Sequence, residues 1–203
     1  PSQWITGPAA REDGQHWRAR ASAVLTGIGT VLDDNPRLDV RSLPTPRQPL
    51  RVVLDSRWRT PPDAALFSAE GGVLVVGLAP LDAPSQARQV ALSEAGAHIL
   101  TAPSQREADR IDIAWLLPEL ARRGVNELHV EAGATLNGHL IDGDWVDEIL
   151  VYLAPKLLGP GRALAALSPL STLAEAWQGE VREVCQIGPD VRLIVRPPGR
   201  ERF

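Results

Sequence analysis

The chain has 203 residues, enough to bury a core without disulfide or metal staples, and its 44% apolar and 23% charged residues are ordinary for a soluble globular protein. A formal charge of −4 argues against a general nucleic-acid or membrane-surface binder, and apolar runs such as 72–79 are too short to span a bilayer. Cys185 is the single cysteine, which excludes an internal disulfide and a thiolate zinc site and points to a reducing cytoplasm.

The chain contains no methionine and opens on Pro1-Ser2-Gln3-Trp4, so a truncated N-terminus is expected. A helix follows from Pro8 to Arg20, with the proline in its first turn. Ser22–Thr26 reads as a short buried strand, and Gly27–Leu32 as a tight turn into a short helix. The β-rich runs at 50–56 and 72–77 are continuously apolar, as strands covered on both faces are. Helical patterns at 84–95 and 111–123 alternate with strands at 97–101 and 126–131, and a further helix covers 134–142. From Glu148 the texture changes to strands at 148–159, 180–188 and 190–197, the last two joined as a hairpin around Gly188-Pro189-Asp190. The expected fold class is α/β: one twisted mixed sheet with helices on both faces and antiparallel C-terminal strands, in a single domain over 1–203.

Two stretches carry candidate chemistry. In GIGTVLDDNPRLDVR (27–41) a strand ends in glycines, a helix opens with Thr30, and Asp33, Asp34, Arg37 and Arg41 follow. On residues alone this fits an ordinary strand-to-helix turn as well as an anion site. In HVEAGATLNGHL (129–140) a strand ends in Glu131 and a glycine-bounded turn opens a helix, the placement of ligands in open α/β sheets. Neither G-x-G-x-x-G nor a Walker lysine is present, so neither motif is claimed. His129 and Glu131 share a strand face, which by itself is weak evidence for a metal, and no metal site is expected. Trp4 fits either a core or a stacking role, and Arg18 and Arg20 point to opposite helix faces. No H-x-E accompanied by P-C-x-x-C, the zinc-deaminase signature, occurs in the sequence.

Together SQWITGPAAR, RARASAVLTGIGTVLDDNPRLDVR, QPLRVVLDS, VEAGATLNGHLI and VDEILVYLAPKLLG resemble the C-terminal reductase domain of the bacterial bifunctional riboflavin-biosynthesis deaminase/reductase, in order from Ser2 to about Asp190. The resemblance implies a dihydrofolate-reductase-like fold, a homodimer, and NADPH-dependent reduction of 5-amino-6-(5-phosphoribosylamino)uracil to the ribitylamino compound. It places Ser2, Arg18, Leu38, Arg41 and Glu131 at the substrate. It places Trp4, Thr30, Asp34, Ser56 and the run Gly133, Ala134, Thr135, Leu136, Asn137, Gly138 and His139 at the cofactor. By the same resemblance, the family's first strand and its S-x-D-G-R-x-A segment are expected upstream of the point where this chain opens, and no deaminase half is expected within residues 1–203. Arg18 and Arg41 suit the substrate phosphate because guanidinium forks bind oxyanions bidentately. Asp34 is the expected acid, its pKa raised beside Asp33 in a water-poor cleft. The rival readings are the related reductase acting on the diamino-pyrimidinone before deamination, dihydrofolate reductase itself, and a non-catalytic ligand-binding or dimerisation module of the same fold.

Overall fold

The computed structural model describes residues 4–80, 82–103 and 110–200, which form two compact units. One unit is 16–133 and the other combines 1–15 with 134–203. Helix α1 (Pro8–Arg20) contributes its first eight residues to the latter and its last five to the former.

In the unit 16–133 the chain runs β1 (Ala23–Gly27), α2 (Ile28–Asp34), β2 (Leu50–Leu54), a 3-10 turn (Ala65–Ser68), β3 (Val73–Leu78), α3 (Ala83–Glu94), β4 (His98–Ala102), α4 (Ile113–Arg122) and β5 (Leu128–Val130). Its five strands pair in parallel in the order β4-β3-β2-β1-β5. All six residues of β3 are buried, so both faces of the sheet are covered, as its unbroken apolar run requires. Val31 of α2 and Leu92 of α3 share one core cluster with Val53, Val73 and Val75. The other face carries Val52, Leu74 and Val76, also buried. The chain crosses back over the sheet from β4 to β5, and right-handed connection assigns α4 to this second face. Ile113, Leu116 and Leu120, one stripe of α4, are buried.

Local chemistry sets the boundaries. Asp82 caps α3 through a reciprocal pair with Ser85: its carboxylate accepts from Ser85 N at 2.7 Å and its own N donates to Ser85 Oγ at 3.2 Å. Trp58 is 1% exposed, and its indole N donates to Leu78 O at 2.9 Å. Its ring lies where a Cβ on Gly77 would be, 2.5 Å away, which is why β3 carries a glycine there.

The second unit holds α5 (Ala134–Asp142), β6 (Ile149–Leu153), a 3-10 turn (Leu173–Glu175), β7 (Glu180–Ile187) and β8 (Asp190–Arg196). Its strands form an antiparallel sheet in the order β6-β8-β7. Gly188 turns the β7–β8 hairpin with φ 61°. The first half of α1 is tied to this sheet through Asp13, which accepts from Tyr152 Oη at 2.5 Å and from Arg192 Nη1 at 2.8 Å. Parallel and antiparallel strands are both present, as expected, but the described residues divide them between two sheets rather than joining them in one. β6 also stops at Leu153 rather than running on to 159, because Pro155 cannot donate to a ladder.

Candidate active site

In the parallel sheet the strand order reverses direction at β1. The chain moves outward from β1 through β2 and β3 to β4, then returns to place β5 on the other side of β1. Open α/β sheets bind ligands at the carboxyl ends of the strands flanking such a reversal. Both candidate stretches lie there: Gly27 leads from β1 into α2, and Glu131 follows β5 with its N donating to Leu25 O at 2.9 Å.

Glu131 is the electrostatic centre of this end. Arg18 holds it with both arms, Nε to Oε1 at 2.5 Å and Nη2 to Oε2 at 2.6 Å. His129 Nε2 lies 3.4 Å from Oε1. Burial would raise the carboxyl, but hydrogen bonds from Arg18 and His129 outweigh it and hold the pKa at about 2. Arg18 Nη1 donates to Asp39 O at 3.1 Å, so each of its three nitrogens makes a hydrogen bond, and its side chain is only 14% exposed. Arg18, expected at the substrate phosphate, is thus also the residue that holds Glu131. Arg20, on the opposite helix face, pairs with Glu127 and stacks over Trp17.

The stretch after α2 is a braced loop. Asn35 ends the helix in the left-handed region, φ 43°, and its side chain accepts from Ala65 N. Leu38 also takes a positive φ, 54°, and is 1% exposed. Left-handed backbone costs a branched residue about 1–2 kcal/mol, which burying a leucine, worth about 1.5–3 kcal/mol, offsets. Gln48 pairs with Val40 through both its amide atoms, accepting from N and donating to O as a neighbouring strand would. Asp39 is buried between two arginines. Its Oδ2 accepts from Arg37 Nε at 3.0 Å and Nη2 at 2.8 Å, and its Oδ1 from Arg41 Nη1 at 2.6 Å. Burial would raise this carboxyl too, but the two guanidiniums hold it below the usual carboxylate range.

The structure therefore brings Arg18, Glu131, Leu38 and Arg41 into one connected group. Thr30 lies beside the loop that follows β5, its Oγ1 4.0 Å from where a Cβ on Gly133 would stand. Among the described residues, nothing outside its own helix lies within 4 Å of a Cβ position on Gly29, and only Thr30 comes as near as 4.0 Å to that of Gly133. Asp34 is the last residue of α2 and is exposed, which is not the water-poor setting expected of it. Ser56 is half-buried just beyond β2. Asp55, which precedes it, and Thr26 of β1 are fully buried, and Asp55 Oδ1 and Thr26 Oγ1 have no partner among the described residues.

The remaining candidates belong to the other unit. Trp4 is 55% exposed with the Arg11 guanidinium 5.3 Å from its ring centroid, so the core alternative for it is excluded. Ser2 lies outside the described residues. Along α5, Ala134, Leu136 and Asn137 are half-buried, Thr135 and His139 are exposed and Gly138 is buried. Asn137 donates to Leu164 O, and a Cβ on Gly138 would stand 2.1 Å from Ala166 O. Both residues thus anchor the segment 164–168 along α5. Among the described residues no group of three His, Cys, Asp or Glu could hold a metal ion, and no helix is long and apolar enough to cross a membrane.

Sequence reasoning missed Asp39 and gave His129 no role. The available signal for Asp39 was an acid flanked by arginines two residues to either side in RLDVR.

Comparison with known proteins places this architecture. The RibD C-terminal domain family matches residues 1–193. Riboflavin biosynthesis protein RibD of Haemophilus influenzae is 39% identical over 98% of this chain and 54% of its own length. A protein of Buchnera aphidicola named 5-amino-6-(5-phosphoribosylamino)uracil reductase is 30% identical over 97% of this chain and 96% of its own length. The solved structure of Acinetobacter baumannii RibD superposes with a TM-score of 0.81 at 35% identity, covering 97% of this chain and 52% of that one. The chain spans about half the length of the RibD relatives it matches. The chain belongs to the RibD C-terminal domain family.

Proposed function

We propose that this chain is the reductase of riboflavin biosynthesis that converts 5-amino-6-(5-phosphoribosylamino)uracil to 5-amino-6-(5-phosphoribitylamino)uracil with NADPH, in the cytoplasm and as a homodimer. The observation that carries the reading is the connected group at the sheet's reversal point, where Glu131 is locked by Arg18 and linked through Asp39 to Arg41. A carboxylate fixed in orientation and an arginine with a 46% exposed side chain suit a polar heterocycle joined to a phosphosugar. The near full-length Buchnera relative bearing that reductase name supports the same choice.

The residues present fit a nicotinamide dinucleotide. Open room above Gly29 and near Gly133 lets a ligand approach the backbone, and Thr30 offers a hydroxyl there. In the other unit, the first turn of α5 opens on Ala134 and Thr135, and its N–H groups, which lack intrahelical acceptors, suit an anion in their own right. When bound, NADPH supplies a hydride to the first sugar carbon. The ribosyl group is attached through nitrogen, so ring opening leaves a C=N bond at that carbon, and the open ribityl chain results from its reduction. Glu131, held ionised, accepts hydrogen bonds from the pyrimidine and fixes its orientation. Asp34, at the C-terminal end of α2, donates the proton that opens the ring, and substrate binding would have to exclude water around it. Leu38, held in its left-handed conformation, shapes the wall between pyrimidine and phosphate.

NADPH oxidation by the purified chain, assayed in parallel with this uracil and with its diamino-pyrimidinone counterpart, tests the reading. Turnover of the uracil is expected, and a preference for the diamino compound would assign the chain to the alternative pathway order. Asp34→Asn is expected to lower turnover about 100-fold with little change in NADPH affinity. Equal turnover by this variant would remove Asp34 from the acid role.

A further inference from the structure

We infer that Arg37 is a second arm of the phosphate clamp, and that Asp39 is the positioning residue that joins Arg37 and Arg41 into one device. The inference rests on the proposed phosphosugar substrate but makes its own claim about how the anion is held.

An isolated arginine after a helix is usually a solvated charge, and Arg37 reads that way in the sequence. The structure gives it a partner that a solvated arginine lacks. Its Nε and Nη2 both donate to Asp39 Oδ2, while Arg41 donates to Oδ1 of the same carboxylate. The two guanidiniums are thus fixed on the two oxygens of one side chain that is only 5% exposed. Their own side chains are 45% and 46% exposed, so each presents its outer edge to solvent. The brace is itself braced: Gln48 clips Val40, the residue between Asp39 and Arg41, on both backbone atoms, and the Asp39 carbonyl accepts from Arg18. Through Arg18 the device is linked to Glu131 at the end of β5.

A carboxylate inside an anion site opposes the anion's charge. Two guanidiniums and one carboxylate leave a net charge of +1 across Arg37, Asp39 and Arg41, where the arginines alone would give +2. Its presence is therefore explained by geometry: it spares the substrate the entropy of ordering two long side chains. Pure electrostatics and positioning then assign opposite signs to its removal. Asp39→Asn keeps the shape, raises the local charge and lets one oxygen serve only one arginine, while its NH2 faces the other donor.

The test measures the phosphate preference of the enzyme, the ratio of kcat/KM for the phosphorylated substrate to that for its dephosphorylated analogue, with binding of ribose 5-phosphate by calorimetry as a readout free of turnover. Arg37→Ala, a surface change that leaves the core intact, is expected to reduce the preference about tenfold, mainly through KM, and to weaken ribose 5-phosphate binding in step. Asp39→Asn is expected to reduce it about threefold or more despite the added positive charge. An unchanged preference in Arg37→Ala, or tighter phosphate binding in Asp39→Asn, overturns the inference. Thermal melting of each variant separates a folding defect, which lowers activity on both substrates alike, and such a parallel loss without a change in preference also counts against it. Wild-type turnover with indifferent variants would sink the clamp and leave the reductase reading standing. Arg37-dependent ribose 5-phosphate binding without turnover would do the reverse.

Discussion

The two units of this chain solve the problem of covering a sheet in different ways. Every residue of β3, in the parallel unit, is buried, whereas six of the eight residues of β7, in the antiparallel unit, are exposed. The parallel sheet has helices from its own crossovers to cover it, as parallel connections supply. The antiparallel unit leaves Val181, Val184, Leu153, Leu158 and Leu173 between 50% and 87% exposed. The lesson is a division of labour. The parallel unit carries a self-contained core with a charged site at its carboxyl edge, and the antiparallel unit carries exposed apolar surface.

The sharpest way to break this comparison is to damage the closed core. Trp58→Ala removes a 1%-exposed indole from the cluster around Val53 and Val75 and is expected to cost about 3–5 kcal/mol in denaturant unfolding. A loss under 1 kcal/mol would show the parallel core to be less closely packed than described. In the other unit, Gly138→Ala drives a methyl to 2.1 Å from Ala166 O, and neither the helix nor the backbone it meets can yield cheaply. The expected cost is about 2–3 kcal/mol, with amide exchange quickened in 164–168 but not in β3.

A third probe titrates the edge of the parallel unit. The Glu131 carboxyl titrates at about 2 in the fold against an ordinary 4.5. Because folding depresses this pKa, its contribution is complete above about pH 4.5 and is lost as pH falls toward 2. The expected loss over that window is about 2 kcal/mol, after discounting for partial exposure. Glu131→Gln should flatten that limb of the stability profile, and an unchanged acid limb would deny that the Arg18 pair is formed in solution. The smallest effect is expected at Val184→Lys on β7, within about 0.5 kcal/mol for monomer stability, accompanied by a shift from dimer to monomer in sedimentation. A monomeric wild type would remove the dimer from the account.

Much of the parallel unit was legible because its signals are local. Unbroken apolar runs marked β2 and β3 to within two residues, and Pro8 fixed the start of α1. The 3-10 turn at Ala65–Ser68 carries no period and was not foreseen. The division into two sheets depends on which strands pair, and strand composition does not encode that. At the candidate site, glycines and acids singled out two stretches that the fold brings to one end of the parallel sheet, but Arg18 and Glu131 are 113 residues apart and only the fold joins them. The positive φ of Leu38 has no sequence signal either, because leucine is not a residue that favours it. Asp39 was overlooked because an acid between arginines reads as surface charge until its burial is known.

The most direct measurement is the product formed when the chain is supplied with NADPH and 5-amino-6-(5-phosphoribosylamino)uracil, identified by mass. NADPH consumption is expected to be matched by a product two hydrogens heavier, the open-chain ribitylamino compound. No consumption, or consumption only with the diamino-pyrimidinone, would contradict it.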